Sequence, residues 1–402
     1  MNIQTPLPSN VADLLLADIA RKIQLSPTNY RTAQQHYGAI YKHLVRAESP
    51  IAHAVQVLYP QGSMAIGSVI SSKFENDEFD IDVVAQLLIS PDTRPAVVLD
   101  TLFSALNGKP GSQYHGRVHR RTRCVTVDYP DMHVDVTPAV LLGGRPPRTS
   151  VIFHAHEKQP ASEHRHVLAN PWGFADWFEK QMPAAQLFAE AVLRKSAEPI
   201  PPPEVLEEKA VPLIALQLMK RWTNKIYEPR LASGSAARKP PGVVLAYFAA
   251  RSGRSYRGLL QELQHQCSAI LTAFEGAARQ RNVLVVENPA CEGDVFTDRW
   301  PGTLAGQDQF INDLKALQSS LVLLSSGISL PEQQRIMAQL FGEHAAANVF
   351  KEFANRYEQA AHRGQLHHAP KTGAIALNES GLGRSAAVLG AIATPKTRNF
   401  GS

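Results

Sequence analysis

The sequence predicts an α+β protein, a mixed sheet leading into a helical lobe, and three observations carry that expectation. Alternating apolar segments that read as strands are confined to about residues 55–140. Long helical periodicity dominates from about residue 204 onward. Between them, Glu198-Pro199-Ile200-Pro201-Pro202-Pro203 is too proline-dense for regular structure and reads as a connector. Strands gathered in one stretch and helices in another give an α+β arrangement, and ligands are expected in the cleft between the two parts.

In chain order, Val11, Leu15, Ile19 and Ile23 form one helical stripe. After the Ser26-Pro27 break, Tyr30, Ala33, Tyr37, Ile40, Tyr41 and Leu44 mark a longer amphipathic helix. Val55-Gln56-Val57-Leu58-Tyr59 reads as a strand stopping at Pro60, with Gly62-Ser63 opening a short helix. Phe79 to Val84 is a core strand. A helix from Pro95 to Leu106 ends at Asn107-Gly108, a C-cap signal. His133 to Thr137 alternates as a further strand, and Gly143-Gly144-Arg145-Pro146-Pro147 closes the sheet region. Helices are then expected over Glu204–Trp222, Val243–Ala250, Tyr256–Arg279, Gln307–Leu324, Pro331–Phe341 and Ala345–His362, with a short strand at Val283–Val286. The tail after His362 has no periodicity, and disorder or loose docking is expected for roughly its last 20 residues.

Composition narrows the function without naming it. At 402 residues the chain can bury two or three cores, and 44% hydrophobic with 19% charged residues is ordinary for a globular protein. A formal charge of +5 suits triphosphate substrates but does not demand nucleic acid. The basic cluster Arg117, His119, Arg120, Arg121 and Arg123 reads as a solvated strand edge, with an acceptor or RNA contact as the alternative. Cys124, Cys267 and Cys291 are spaced for neither a disulfide framework nor a thiolate zinc site, which fits a reducing cytoplasm. His154-Ala155-His156, His164-Arg165-His166 and His367-His368 read as surface histidines rather than metal ligands. No basic-then-apolar leader opens the chain and no apolar run approaches a membrane span, so a cytoplasmic protein with no membrane partner is expected.

The chemistry is concentrated in three motifs. Asp80-Ile81-Asp82 puts two carboxylates on one strand face while Ile81 points into the core. Phe79, Val83 and Val84 flank them, and unpaired carboxylates there would be costly without a cation. Asp135, in Val134-Asp135-Val136, supplies a third carboxylate from a neighbouring strand. Magnesium takes hard oxygen ligands and keeps substrate phosphates in its shell, and two ions about 3.5–4 Å apart clamp both oxygens of an in-line displacement. Gln61-Gly62-Ser63 supplies the phosphate cradle: glycine permits close backbone approach and the Ser63 hydroxyl can donate to a phosphate oxygen. Each motif alone has a bland reading as a turn, a cap or a paired charge. Their order along the chain is what points to a metal-dependent nucleotidyltransferase.

On these motifs the chain resembles the bacterial cGAS/DncV-like nucleotidyltransferases, the CD-NTases, which share a polymerase-beta-like core with oligoadenylate synthases. The resemblance rests on Gln61-Gly62-Ser63 with Gly67-Ser68, Asp80-Ile81-Asp82 and Val134-Asp135-Val136-Thr137-Pro138. It continues through Lys220-Arg221-Trp222 ending a helix, Asn288-Pro289, Glu292, Phe296 and Trp300, so that it spans roughly residues 50 to 310. It implies N-terminal bracing helices (1–50), a nucleotidyltransferase core (51–198), a helical lobe with donor and acceptor contacts (199–362) and a flexible tail (363–402). It further implies two magnesium ions on Asp80, Asp82 and Asp135, and ATP or GTP as substrates for a cyclic di- or trinucleotide that signals to an effector in anti-phage defence. A ubiquitin-like conjugation enzyme acting on the C-terminal residue, here Ser402, is a further implied partner.

One departure from the family pattern is Lys239-Pro240-Pro241-Gly242, where many relatives carry a serine after the Lys-Pro pair. The hydroxyl contact to the donor triphosphate is therefore either missing or replaced by a Gly242 backbone amide. Lys220 is carried over as a triphosphate contact, its alternative being a solvated lysine at a helix C-terminus. Glu292 is either a substrate-positioning group or part of a structural knot closed by Trp300. Two other functions remain open at this stage: a linear templateless transferase, and a non-catalytic nucleotide or RNA sensor.

Overall fold

The computed structural model describes residues 11–71, 79–130, 132–182, 209–235, 238–253, 258–362, 366–368, 375–377 and 392–393. The proline-dense connector, residues 204–208, Tyr256 and Ser402 lie outside them.

A seven-stranded mixed sheet forms the first lobe. Its path runs β1 (Val55–Gln61), β2 (Phe79–Leu87), β5 (Met132–Leu141), β4 (Val125–Asp128), β3 (Val118–Arg120), with β6 (Ser150–His154) pairing β5, and β7 (Arg165–Ala169) pairing β6. β2 and β5 are parallel and all other pairs are antiparallel. The long β5 serves two partners on one side, β4 along residues 133–136 and β6 along residues 139–141. Strict alternation sends Phe79, Ile81 and Val83 of β2 and Val134 and Val136 of β5 into one core with Val125 and Val127. The helices α2 (Pro27–Leu44) and α4 (Pro95–Asn107) cover that face. Each such side chain contributes about 1.5–3 kcal/mol on burial.

The second lobe is helical. It comprises α6 (Val211–Ala232), α7 (Gly242–Ser252), α8 (Leu259–Arg279), α9 (Leu304–Ser325), α10 (Leu330–Phe341) and α11 (Glu343–His362). The short α3 (Gly62–Ala65) follows β1, and α5 (Pro171–Gln181) follows β7. The two N-terminal helices part company: α1 (Val11–Ile23) buries Leu15, Leu16, Ile19 and Ile23 in the helical core, whereas α2 packs on the sheet.

Several expectations are corrected. β1 runs through Pro60 to Gln61; β1 is an edge strand, where a missing N–H is tolerated. The sheet does not close at Gly143–Pro147, which is a turn with Gly144 at positive φ leading into β6 and β7. α6 does not end at Trp222 but continues to Ala232. Val283–Val286 is not a strand. Val286 is buried in the helical core and Leu284 packs against it, while their N–H groups go to Thr297 Oγ1 and Gln307 Oε1 instead of a ladder. The neighbouring hairpin is β8 (Glu287–Asn288) with β9 (Cys291–Val295). In the tail, β10 (Leu366–His368) pairs with β11 (Ile375–Leu377) and β12 (Ile392–Ala393), so part of the aperiodic segment forms strands. No described helix is long and apolar enough to cross a membrane.

Candidate active site

The sheet face opposite the α2 and α4 core carries the polar residues of the same strands. Register aligns them into a row. Gln61 pairs with Asp82 in β1–β2, Asp82 with Asp135 in β2–β5, and Asp135 with Thr126 in β5–β4. Asp80 lies two residues before Asp82 on the same face and is exposed, while Asp82 is half-buried. Gly62 follows Gln61 at φ +58°, and a Cβ there would stand 2.6 Å from Asp82 Oδ2. The turn therefore needs glycine on two counts, backbone and space. Gln61 Nε2 reaches across to donate to Thr137 Oγ1 at 3.0 Å, tying the turn to β5. Ser63 is half-buried at the start of α3, and its carbonyl accepts from the Ser68 N–H at 2.9 Å.

Negative charge is concentrated here, with Lys220 as one counter-charge. Burial first, then Asp135 and Asp80, push the Asp82 carboxyl up to about 7, with Lys220 acting the other way. A hard divalent cation relieves that repulsion, and an all-carboxylate donor set suits one. The side chains are not yet gathered into a cage: among the described residues, no three His, Cys, Asp or Glu groups stand close enough to share one ion. Asp135 is otherwise engaged. Its Oδ1 accepts from Thr126 Oγ1 at 2.5 Å, and the Cys124 thiol also bonds its carboxylate. Burial and Asp135 push that thiol far above its ordinary range, so it stays a donor. The Thr126 hydroxyl itself accepts from Arg121 Nε at 3.3 Å. A guanidinium can only donate, so the single hydroxyl proton is directed at Asp135. We predict that Thr126→Val lowers turnover about tenfold at saturating nucleotide and raises the divalent-ion requirement, whereas Thr126→Ser restores both. Equal kinetics for Thr126→Val and the parent chain would contradict this orienting role.

Lys220 lies in the body of α6, not at a helix end, which removes the solvated-terminus reading. Its Nζ donates to the Ser68 carbonyl at 2.8 Å. Burial and Lys239 push its ammonium down to about 7, while Asp82 and Asp80 oppose that shift. On the same helix face, Gln217 Nε2 donates to Val69 O at 3.1 Å, and Arg221 bonds Ser71 O at 3.2 Å and Phe341 O at 3.1 Å. Spacings of three and four residues thus staple the loop after α3 to the helical lobe. Gly242 opens α7 beside this lysine, and a Cβ there would stand 3.7 Å from Lys220 Cε.

Other candidate residues resolve into structure. The carboxylate of Asp294 accepts from the Asn170 N–H and from Asn288 Nδ2, both at 2.8 Å, and Trp300 Nε1 donates to Arg238 O at 3.0 Å. This is the knot; Glu292 is exposed on β9. The basic cluster lies at the sheet edge, as expected, with β3 the last strand of the path and Arg117, His119 and Arg121 exposed, and its members also have protein partners. Arg120 bonds Asp100 and Ala155 O, Arg121 bonds Thr126, Arg123 bonds Asp298 and His154, and His119 pairs with Asp128. His154 is buried rather than on the surface, and burial with Arg123 pushes its pKa down to about 4. Sequence reading missed Thr126, and it named Arg121 and Cys124 without placing either beside Asp135. The alternation of Val125-Thr126-Val127 marks a strand, but nothing local states which aspartate it faces.

Three carboxylates on adjacent strands, approached by a glycine turn from the sheet lobe and a lysine from the helical lobe, define a nucleotidyltransferase. A family profile described as "Second Messenger Oligonucleotide or Dinucleotide Synthetase domain" matches residues 12–158. The chain is 32% identical over 358 residues to the cyclic dinucleotide synthase CdnG of Bradyrhizobium diazoefficiens, covering 86% of this chain and 83% of that protein. It is 23% identical over 339 residues to a c-di-GMP synthase of Roseivirga ehrenbergii, covering 81% and 83% respectively. The solved structure of the Bradyrhizobium diazoefficiens CD-NTase CdnG in complex with GTP superposes with a TM-score of 0.71 at 31% identity, over 86% of this chain and 99% of that one. The E. coli MS115-1 CdnC structure with ATP shares the fold, with a TM-score of 0.55 at 14% identity over 83% and 98%. The chain belongs to the CD-NTase family of second-messenger nucleotide synthetases, and it is an enzyme of that class.

Proposed function

We propose that this enzyme joins nucleoside triphosphates, GTP among them, into a purine cyclic dinucleotide such as a cyclic GMP-AMP, releasing pyrophosphate, as a signal read by a downstream effector in anti-phage defence. The observation that carries the reading is the register row in which Asp82 stands between the Gln61-Gly62 turn and Asp135. GTP is favoured because the 32%-identical CdnG is named a cyclic dinucleotide synthase and is solved with GTP.

In this reading Asp80, Asp82 and Asp135 would hold two magnesium ions, which would supply polarisation of the α-phosphate and easier ionisation of the acceptor hydroxyl. Ser63 and the Gly62 turn receive the donor triphosphate, and Lys220 and the Gly242 amide contact it from the helical lobe. Moving Lys220 Nζ from Ser68 O to phosphate restores the full charge that burial suppresses. Asp135, held by Thr126 and Cys124, serves the acceptor side. Positioning and charge neutralisation supply most of the rate. A second transfer by the same residues closes the ring.

Incubation with the four ribonucleoside triphosphates, singly and combined, followed by phosphatase and mass spectrometry, tests this. A phosphatase-resistant cyclic dinucleotide is expected; linear products alone would favour the templateless alternative, and triphosphate binding without pyrophosphate release would favour a sensor. Divalent binding should also depend on pH with a definite sign. Asp82 holds its proton up to about pH 7, so a cation must displace it below that. Apparent affinity is expected to rise about tenfold per pH unit from 5 to 7, with one proton released, and to flatten above about 8. Calorimetry in two buffers of different ionisation enthalpy reads the proton directly.

A further inference from the structure

Charge is scarce on the packed pair α8 and α9. Residues 316–331 contain no Asp, Glu, Lys or Arg, and residues 259–274 contain one, Glu262, which is buried. With 19% of the chain charged, about six such residues would be expected over the two stretches, and a surface helix normally turns its charges to water. The stretches lie side by side. Gln264 Nε2 donates to Leu321 O and Gln318 Nε2 to Ser268 Oγ, both at 3.0 Å, so the helices run antiparallel with their uncharged halves matched.

The exposed side of this pair is apolar in effect. Val322, Leu323 and Leu330 are 55%, 47% and 43% exposed. Around them Ser319 and Ser320 donate to Lys315 O and Ala316 O at 2.9 and 3.1 Å, and Ser325 and Ser326 donate to Val322 O and Leu323 O at 2.7 and 2.8 Å. These hydroxyl protons are directed at the helix's own carbonyls, so little donor capacity faces outward. Charges return at the two ends: Lys315 stands 2.8 Å from Glu275, and Arg335 stands 4.0 Å from Glu332. An uncharged centre inside a charged rim is the composition of a protein–protein contact.

Those end charges select the occupant. Lys315 precedes Leu323 by nearly as many residues as Glu332 follows it. When two copies lay α9 against α9 in opposite directions about a two-fold axis near Leu323, Lys315 of each copy meets Glu332 of the other. The same axis sets Glu275 against Arg335. Elsewhere two copies of a chain with a formal charge of +5 repel, and this face lets them approach without like charges meeting. Its centre offers no cation to an anionic lipid surface. Extent sets the strength: helical stretches of this length span roughly 24 Å, and two packed helices are roughly 20 Å across, which gives on the order of 1,000 Å² buried between both copies. That is small for a specific complex and suits a reversible pair.

We propose that the α8–α9 face joins two copies of the chain as a weak two-fold dimer, with Leu323 near the axis and Lys315 paired to Glu332 of the second copy. The contact lies at the end of α9 away from the sheet lobe. The knot that joins Asp294 to Asn170 precedes the start of α9 at Leu304, and Leu323 is roughly 28 Å further along the helix. None of the carboxylate, turn or lysine residues of the site belongs to either uncharged stretch, so pairing is separate from the chemistry.

Sedimentation velocity across about 1–300 µM protein, the range of weak pairs, tests this. The parent chain is expected to move from monomer toward dimer over that range. Leu323→Asp, at an exposed position, should keep the parent melting temperature and remain monomeric throughout. Lys315→Glu should weaken pairing at least about fivefold, and Lys315→Glu/Glu332→Lys should restore it, because the exchanged charges meet again across the axis. A parent chain still monomeric at the highest concentration would overturn the proposal, and so would a Leu323→Asp chain that pairs like the parent. Single and double charge variants that pair alike would overturn the two-fold arrangement. Co-sedimentation of the monomeric parent with phosphatidylcholine vesicles would assign the face to a lipid surface instead.

Discussion

Asp82→Asn is expected to reduce nucleotide incorporation at least about a thousandfold while leaving the protein folded. Asp82 occupies the middle of the register row, flanked by Gln61 on one strand and Asp135 on the other. An amide oxygen is a poor ligand for a hard cation and brings no charge. Stability should move the opposite way, which separates this loss from misfolding. A carboxyl held up to about 7, against an ordinary 3.8, favours the folded state when protonated. That contribution is present below about pH 4 and is lost as pH rises to 7. Its ceiling is about 4 kcal/mol, and solvent access to a half-buried side chain reduces it to about 1–2 kcal/mol. Metal-free Asp82→Asn should therefore melt higher than the parent at pH 8 and match it near pH 4. Near-parent synthesis by the variant would end the metal assignment.

Gly62→Ala is the second large effect, expected to cost at least about a hundredfold in turnover with a raised KM for triphosphate. The backbone at φ +58° strains any L side chain, at about 1–2 kcal/mol. More damaging, the new methyl carbon would meet Asp82 Oδ2 at 2.6 Å and its Cγ at 3.3 Å. Either the turn withdraws or the carboxylate swings out of the row. Gly67→Ala separates strain from displacement: its φ is +66°, but the nearest atom is Leu213 Cδ2 at 3.9 Å. It should lose comparable stability and far less activity. Equal activity losses in the two variants would show that backbone strain, not the crowding of Asp82, governs the site.

Much of the architecture was legible because strands and helices are local. Alternation around Ile81 and Val134 told which residues face the core, and therefore that Asp80, Asp82 and Asp135 share the other face. Periodicity located α1, α2, α4 and α8 to α11 to within a few residues. The failures are equally physical. Val283–Val286 is apolar because it packs as a loop on the helical core, a role no period distinguishes from a strand. Lys220-Arg221-Trp222 looked terminal, yet the helix runs ten residues further, with Pro229 accommodated inside it.

Motif order in the chain was enough to state the chemistry: two carboxylates in a core strand, a third downstream, and a glycine turn before them. What folding added is proximity between distant segments. Lys220 meets Ser68 across 152 residues, Arg123 meets Asp298 across 175, and Thr126 finds Asp135 through strand pairing. Side-chain period is a property of a few neighbouring residues, whereas register and lobe contact depend on how whole elements pack. The carboxylates could therefore be read along the chain, and the groups that hold and surround them could not.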